Sequence, residues 1–246
     1  AGSPLANFSA EVRGALTLTI NARGLMPRAS MWTLLTPLLV LANQLQVITL
    51  SESDLLSTAD LIDSISRDCA VERVTDDNPA KLLALQLAPA IPMVWGTGVF
   101  ADAVAYRFTS QLAENAKLVA VHGEIPESQH NQVVVFDGPL ADAAQENIFE
   151  DLDGVANAQF RLVLLRDNHE SERISRRASI VSEIAQRRKV PVSSVSATGE
   201  HLLHRLASLV AITDWASVYT ALALGIDPSP IGPINELKAR LASERG

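Results

Sequence analysis

With 246 residues, 48% hydrophobic but only 4% aromatic, the chain can bury one large or two medium cores of Ala, Leu, Val and Ile, a mixture that suits α/β architecture better than an aromatic-rich sandwich. A net charge of −8 with scattered basic residues argues against a nucleic-acid partner, which needs a basic face, and Arg187-Arg188-Lys189 reads as a solvated helix end. The lone Cys69 excludes an internal disulfide or a cysteine metal cluster and suits a reducing, cytoplasmic setting, while the apolar stretch from Met31 to Ala42 is too short to span a bilayer.

The chain opens on Ala1-Gly2-Ser3-Pro4 with no methionine and no signal-peptide pattern, as a processed or truncated product would. Gly14 to Asn21 then predicts a strand, with Leu16, Leu18 and Ile20 alternating against threonines. Ala29 to Leu45 predicts an apolar helix entered through Pro27, and its near-uniform apolarity predicts burial on several sides, as at a subunit interface. Ser53 to Arg67 is a second, amphipathic helix. Val71 to Pro79 is polar and marks a candidate domain boundary.

The second half alternates helices and strands. Helices are expected over Ala80 to Leu87, Val99 to Asn115, Glu170 to Arg188, His201 to Leu224 and Pro233 to Ala242. Strands are expected over Ile91 to Trp95, Leu118 to His122, Phe160 to Arg166 and Val190 to Ala197. Such alternation predicts a parallel sheet covered on both faces, with ligands at the carboxyl ends of its strands. Gly96-Thr97-Gly98 and the segment after His122 lie at such ends.

Several residues are candidates for chemistry, each with an ordinary alternative. Gly96-Thr97-Gly98 can offer N–H groups to a phosphate or simply make a tight turn, and two glycines fall short of a dinucleotide fingerprint. Arg28, after Pro27 at the end of the expected strand, can meet an anionic ligand or make a surface ion pair. Glu114 ends a helix, where the dipole opposes a carboxylate, and from composition alone it is a solvated helix end. His130 lies in a polar loop, where solvent exposure is the default, as it is for Lys238 on the last helix. His201 and His204 have no third ligand near in sequence, so no metal is expected.

Order and spacing say more than any one motif. Pro27-Arg28-Ala29-Ser30, Asn78-Pro79-Ala80-Lys81, Ala105-Tyr106-Arg107-Phe108, Glu114-Asn115-Ala116-Lys117, Pro126-Glu127, His130-Asn131, Asp214-Trp215-Ala216-Ser217-Val218-Tyr219, Asp227-Pro228-Ser229-Pro230 and Leu237-Lys238 follow one another in this chain. Taken together they resemble the bifunctional phosphoglucose/phosphomannose isomerases of the sugar-isomerase (SIS) domain superfamily. Gln132 to Gly138 and Phe160 to Asp167 look closest to an actinobacterial, TobH-like branch.

The resemblance implies SIS-type parallel sheets flanked by helices (three-layer α/β/α). Residues 1–75 would be the C-terminal part of an incomplete first SIS domain plus a linker, and residues 76–246 a second SIS domain with C-terminal helices. It implies a homodimer that isomerises glucose 6-phosphate or mannose 6-phosphate to fructose 6-phosphate through a cis-enediolate, without cofactor or metal. Glu114 would be the general base and His130, reaching into the neighbouring protomer's site, would open the sugar ring. Arg28 would bind substrate and stabilise the enediolate, Lys238 would assist at the ring oxygen, and Asn131 would contact substrate. Two departures bear on this. Gln132 stands where the family has an acidic residue, and Ser128-Gln129 replaces the commoner Leu-Asn. The family's phosphate-gripping Ser/Thr loops also have no counterpart before Gly14, which leaves open a non-catalytic SIS-domain protein that binds a phosphosugar or acts as a regulatory, dimeric scaffold. A nucleotide-dependent dehydrogenase is the weaker alternative, for want of a full glycine fingerprint.

Overall fold

A computed structural model describes residues 4–15, 17–21, 24–141 and 159–243. The chain forms two compact units, Ala1–Glu52 and Ser53–Gly246.

In the first unit, α1 (Pro4–Glu11) is followed, among the described residues, by turns and chain without regular structure, a 3-10 turn over Pro27–Ala29, and α2 (Met31–Gln44). The strand expected over Gly14 to Asn21 does not form among the described residues, and Leu16 lies outside them. Alternation is not enough for a strand, because its backbone groups need a pairing partner. No other strand is described in this unit, and Leu18 is exposed. The apolar helix forms, but Leu34, Leu38 and Leu41 stay exposed, so the burial expected on several sides is not found among the described residues.

The second unit opens with α3 (Glu52–Asp68), which the sequence grouped with the first domain, and α4 (Pro79–Leu87) follows. A four-stranded sheet comes next, built from β1 (Ala90–Thr97), β2 (Val121–Ile125), β3 (Gln159–Arg166) and β4 (Val192–Ser196) in the order β2-β1-β3-β4. All three pairings are parallel. Parallel neighbours need crossovers, and these are α5 (Val99–Gln111) and α6 (Glu172–Arg187). Then come α7 (Leu202–Ala223) and α8 (Gly232–Ser243). The parallel, helix-flanked sheet is the one expected, though β2 begins three residues later than the apolar run suggested, because its register is set by pairing Val121 with Met93.

Burial on both faces explains why β1 and β3 read as continuous apolar runs rather than alternations. Met93, Trp95, Leu162 and Leu164 pack on one face with Ala178, Val181 and Ala185 of α6 and with Phe136. The intervening residues, Val94, Val163 and Leu165, are buried on the opposite face, where α5 runs with α4 and α7. Helix α7 is long and apolar enough to span a membrane by length and composition, yet 61% of that stretch is buried.

Candidate functional site

Glu114 is placed by a ladder of polar contacts between α5 and α7. Arg107 donates to Asp214 at 2.8 Å, Gln111 to the same carboxylate at 3.1 Å, and buried Asn115 to Ser217 Oγ at 2.8 Å. The donors are four residues apart, so they share one helix face. After Gln111 the helix widens into a π turn over Leu112–Ala116, a distortion found frequently at functional sites. Glu114 lies half-buried in that turn. Lys117, left-handed at φ 54°, closes it. Its Nζ donates to the carbonyls of Glu114 at 2.8 Å and Pro228 at 3.3 Å, tying the turn to the loop before α8. The π turn is not legible in the sequence, which predicts an ordinary last turn.

His130 ends a 3-10 turn, Glu127–His130, and is exposed. Asn131 donates to Glu127 at 3.4 Å and accepts from the Gln132 amide at 2.6 Å, so both of its side-chain groups serve the loop. Gln132 anchors the loop. Its oxygen accepts from the fully buried Trp95 Nε1 at 2.8 Å, and its nitrogen donates to the His122 carbonyl at 2.8 Å. Gln129 fixes the other flank by exchanging two bonds with Arg177 of α6, at 2.9 and 3.1 Å.

The predicted residues do not converge within the second unit. Helix α5 runs from the carboxyl edge of β1 back to the amino edge of β2, so Glu114 lies at the amino edge. His130 follows the carboxyl end of β2, at the opposite edge. Lys238 is exposed on α8, and Arg28 belongs to the first unit, half-buried in the turn Pro27–Ala29.

At the carboxyl ends of β1 and β3, where the strand order reverses, the crevice is filled by the protein's own groups. Thr97 Oγ1 accepts from the Asp167 amide at 2.9 Å, and the Thr97 hydroxyl bonds to Glu170. Arg166 Nε donates to both Glu170 oxygens at 2.9 and 3.0 Å, and its Nη2 reaches Glu170 and Ser175. Burial pushes the Glu170 carboxyl up, but the bonds from Arg166, Thr97 and Ser175 and the Arg166 charge outweigh it and leave the pKa lowered. The Gly96-Thr97-Gly98 segment therefore serves as a tight turn around an internal carboxylate. Gly96 allows the close approach of strand and helix, since a Cβ there would meet Asp102 Cα at 2.3 Å.

One further pair is not legible in the sequence. His122 Nε2 lies 2.7 Å from Asp102 Oδ1, with Tyr106 edge-on to the imidazole at 5.6 Å between ring centroids. The four-residue spacing of Asp102 and Tyr106 puts them on one face of α5, but only the β1–β2 register brings His122 opposite. Among the described residues no group of three or more His, Cys, Asp or Glu is arranged to hold a metal. His201 and His204 instead face Asp54 and Ser57 of α3, at 4.0 and 2.9 Å.

With this geometry in view, a family model described as the bacterial phospho-glucose isomerase C-terminal SIS domain matches residues 76–241. The chain is 28% identical over 241 residues to a bifunctional phosphoglucose/phosphomannose isomerase of Caldicellulosiruptor bescii, covering 98% of this chain and 66% of that protein. It is 27% identical over 220 residues to the protein of the same description from Thermoplasma volcanium, covering 89% and 62%. It thus spans less than two thirds of the length of these relatives. A glucose-6-phosphate isomerase like protein from Thermus thermophilus shares the fold, with a TM-score of 0.56 and 22% identity over 76% of this chain and 56% of that one.

Proposed function

The chain belongs to the family of the bacterial phospho-glucose isomerase C-terminal SIS domain, and on that premise we propose that it serves an aldose–ketose isomerase converting glucose 6-phosphate or mannose 6-phosphate to fructose 6-phosphate. The observation that carries this reading is the placement of Glu114. A carboxylate half-buried in a π turn, pinned through Gln111 before it and Asn115 and Lys117 after it, has a fixed backbone from which to act. In the proposed reaction the sugar ring opens with His130 as proton donor and acceptor. Glu114 removes the C2 proton, and a cis-enediolate forms. With the O2 hydroxyl proton passed to O1 within the enediolate, return of the carbon-bound proton to C1 by the same carboxylate gives the ketose. A carboxylate suits this task because its two oxygens can serve adjacent carbons on one face of the substrate. Arg28 would balance the enediolate charge, Lys238 would assist at the ring oxygen, and Asn131 would orient substrate. Positioned acid–base groups contribute about 10²–10⁴-fold in rate.

Glu114 and His130 lie at opposite edges of the sheet in one chain, which supports a homodimer in which His130 completes the partner's site. The domain division at residues 75 and 76 and the actinobacterial branch belong to the same proposal, and a single buried thiol suits a cytoplasmic protein. A coupled assay for fructose 6-phosphate, run on the protein as its gene encodes it, tests the assignment. Glu114→Gln should lower kcat by about a hundredfold or more with the fold intact. Undiminished turnover in that variant would remove Glu114 from the chemistry. A second reading, a phosphosugar-binding SIS module without turnover, draws on the altered His130 loop, where Gln132 is committed to Trp95 and the His122 carbonyl. Thermal stabilisation by glucose 6-phosphate with no product formed would favour it.

A further inference from the structure

We infer that the groove between α6 and the loop carrying His130 is a second binding site, for a small organic anion with an apolar body. It encloses a cavity of about 700 Å³, within the range of small-molecule sites. Arg173, Arg176 and Arg177 line it at the i, i+3 and i+4 spacing that brings side chains together on one helix face. Like charges so placed repel one another. In a chain of net charge −8, a cluster of three guanidiniums beside the single carboxylate of Glu172 is a local reversal of sign. Arg107, Arg166, Arg188 and Arg205 each have a carboxylate partner, whereas Arg173 and Arg176 make no ion pair among the described residues.

The floor of the groove is apolar. Val133, Ile180 and Ile184 line it, and Ile180 is 43% exposed. Forked cations above an aliphatic floor match a ligand with a phosphate or carboxylate at one end and a ring or chain at the other. Such a ligand would relieve both the charge repulsion and the exposed apolar area. The site is on the α6 face of the sheet, away from Glu114 on the α5 side. It is nevertheless coupled to the His130 loop, because Arg177 shares two bonds with Gln129, the residue before His130.

Calorimetric titration with 1-naphthyl phosphate, beside inorganic phosphate, tests the site directly and stands whether or not the protein turns over sugar phosphates. Naphthyl phosphate should bind, and R173A/R176A should weaken it by about tenfold or more. Ile180→Ser should weaken it by roughly threefold, since about one methylene's worth of apolar contact is lost. All three positions are exposed and need not carry the fold, which matched thermal melts of the variants would establish. Absence of binding at millimolar naphthyl phosphate overturns the proposal. So does binding that ignores R173A/R176A, which would put the ligand elsewhere, or equal affinity for inorganic phosphate, which would leave the apolar floor without a role.

Discussion

Gln132 has to accept from the Trp95 indole and donate to the His122 carbonyl at once, which its amide can do and an ionised carboxylate cannot. A glutamate would still accept from the indole, but it would set a carboxylate against the His122 carbonyl and leave that oxygen without its donor. Gln132→Glu should therefore destabilise the second unit by about 1–3 kcal/mol, read as a lower urea midpoint at unchanged slope. An unshifted midpoint would mean that the loop is held some other way. Glu170 makes the complementary case. Its carboxyl is held below its ordinary value in the fold, so it contributes stability that is present above the unfolded pKa and is lost as pH falls through the folded one. Glu170→Gln should be less stable than the parent near neutrality, and its stability should fall less steeply on acidification. Parallel curves from about pH 7 to about pH 3 would remove Glu170 from the acid transition.

The elements were legible in the sequence wherever one segment decides its own structure. Phe160 to Arg166 is an apolar run buried on both faces, and β3 forms where it was expected. The helix expected over Ala80 to Leu87 forms as α4, and the structure adds its cap, the Asn78 side chain accepting from the Lys81 amide at 2.9 Å. What was not legible depends on partners far along the chain, namely the shift of β2, the missing strand near Gly14, the π turn and the His122–Asp102 pair. The family motifs look different at this scale. Arg107 with Asp214, Asn115 with Ser217, and Lys81 over the Tyr219 ring at 5.5 Å join motif to motif, so much of the recognisable pattern is scaffold that holds Glu114 and the α4–α7 contact. The two glycines after β1 give a test of the strand-to-helix junction. Gly96→Ala must force Asp102 backbone away from a Cβ at 2.3 Å, whereas Gly98→Ala meets only the strain of φ 94° in open space. The first should cost about 1–3 kcal/mol or more from overpacking, and the second about 1–2 kcal/mol from backbone strain. Thermal melts that rank Gly98→Ala as the more damaging would refute the close approach of α5 to β1.

At the scale of the whole molecule, the sheet itself separates the two groups proposed to act on one sugar. Glu114 lies at the amino edge because α5 carries the chain back across the sheet, and His130 lies beyond the carboxyl edge because it follows β2. One site built from both then draws them from different copies, which a two-fold dimer supplies twice over. Variants damaged separately, Glu114→Gln and His130→Ala, should each be nearly inactive in the coupled assay. Mixed, unfolded and refolded together, they assort at random. Half of the dimers are then hybrids, and each hybrid carries one site with both groups intact and one with neither. Recovery of about a quarter of the parent activity is expected on that count, with the recovered fraction rising and falling with the hybrid fraction as the mixing ratio is varied. Groups that act within one chain would give no recovery at any ratio, and the dimeric site would have to be abandoned.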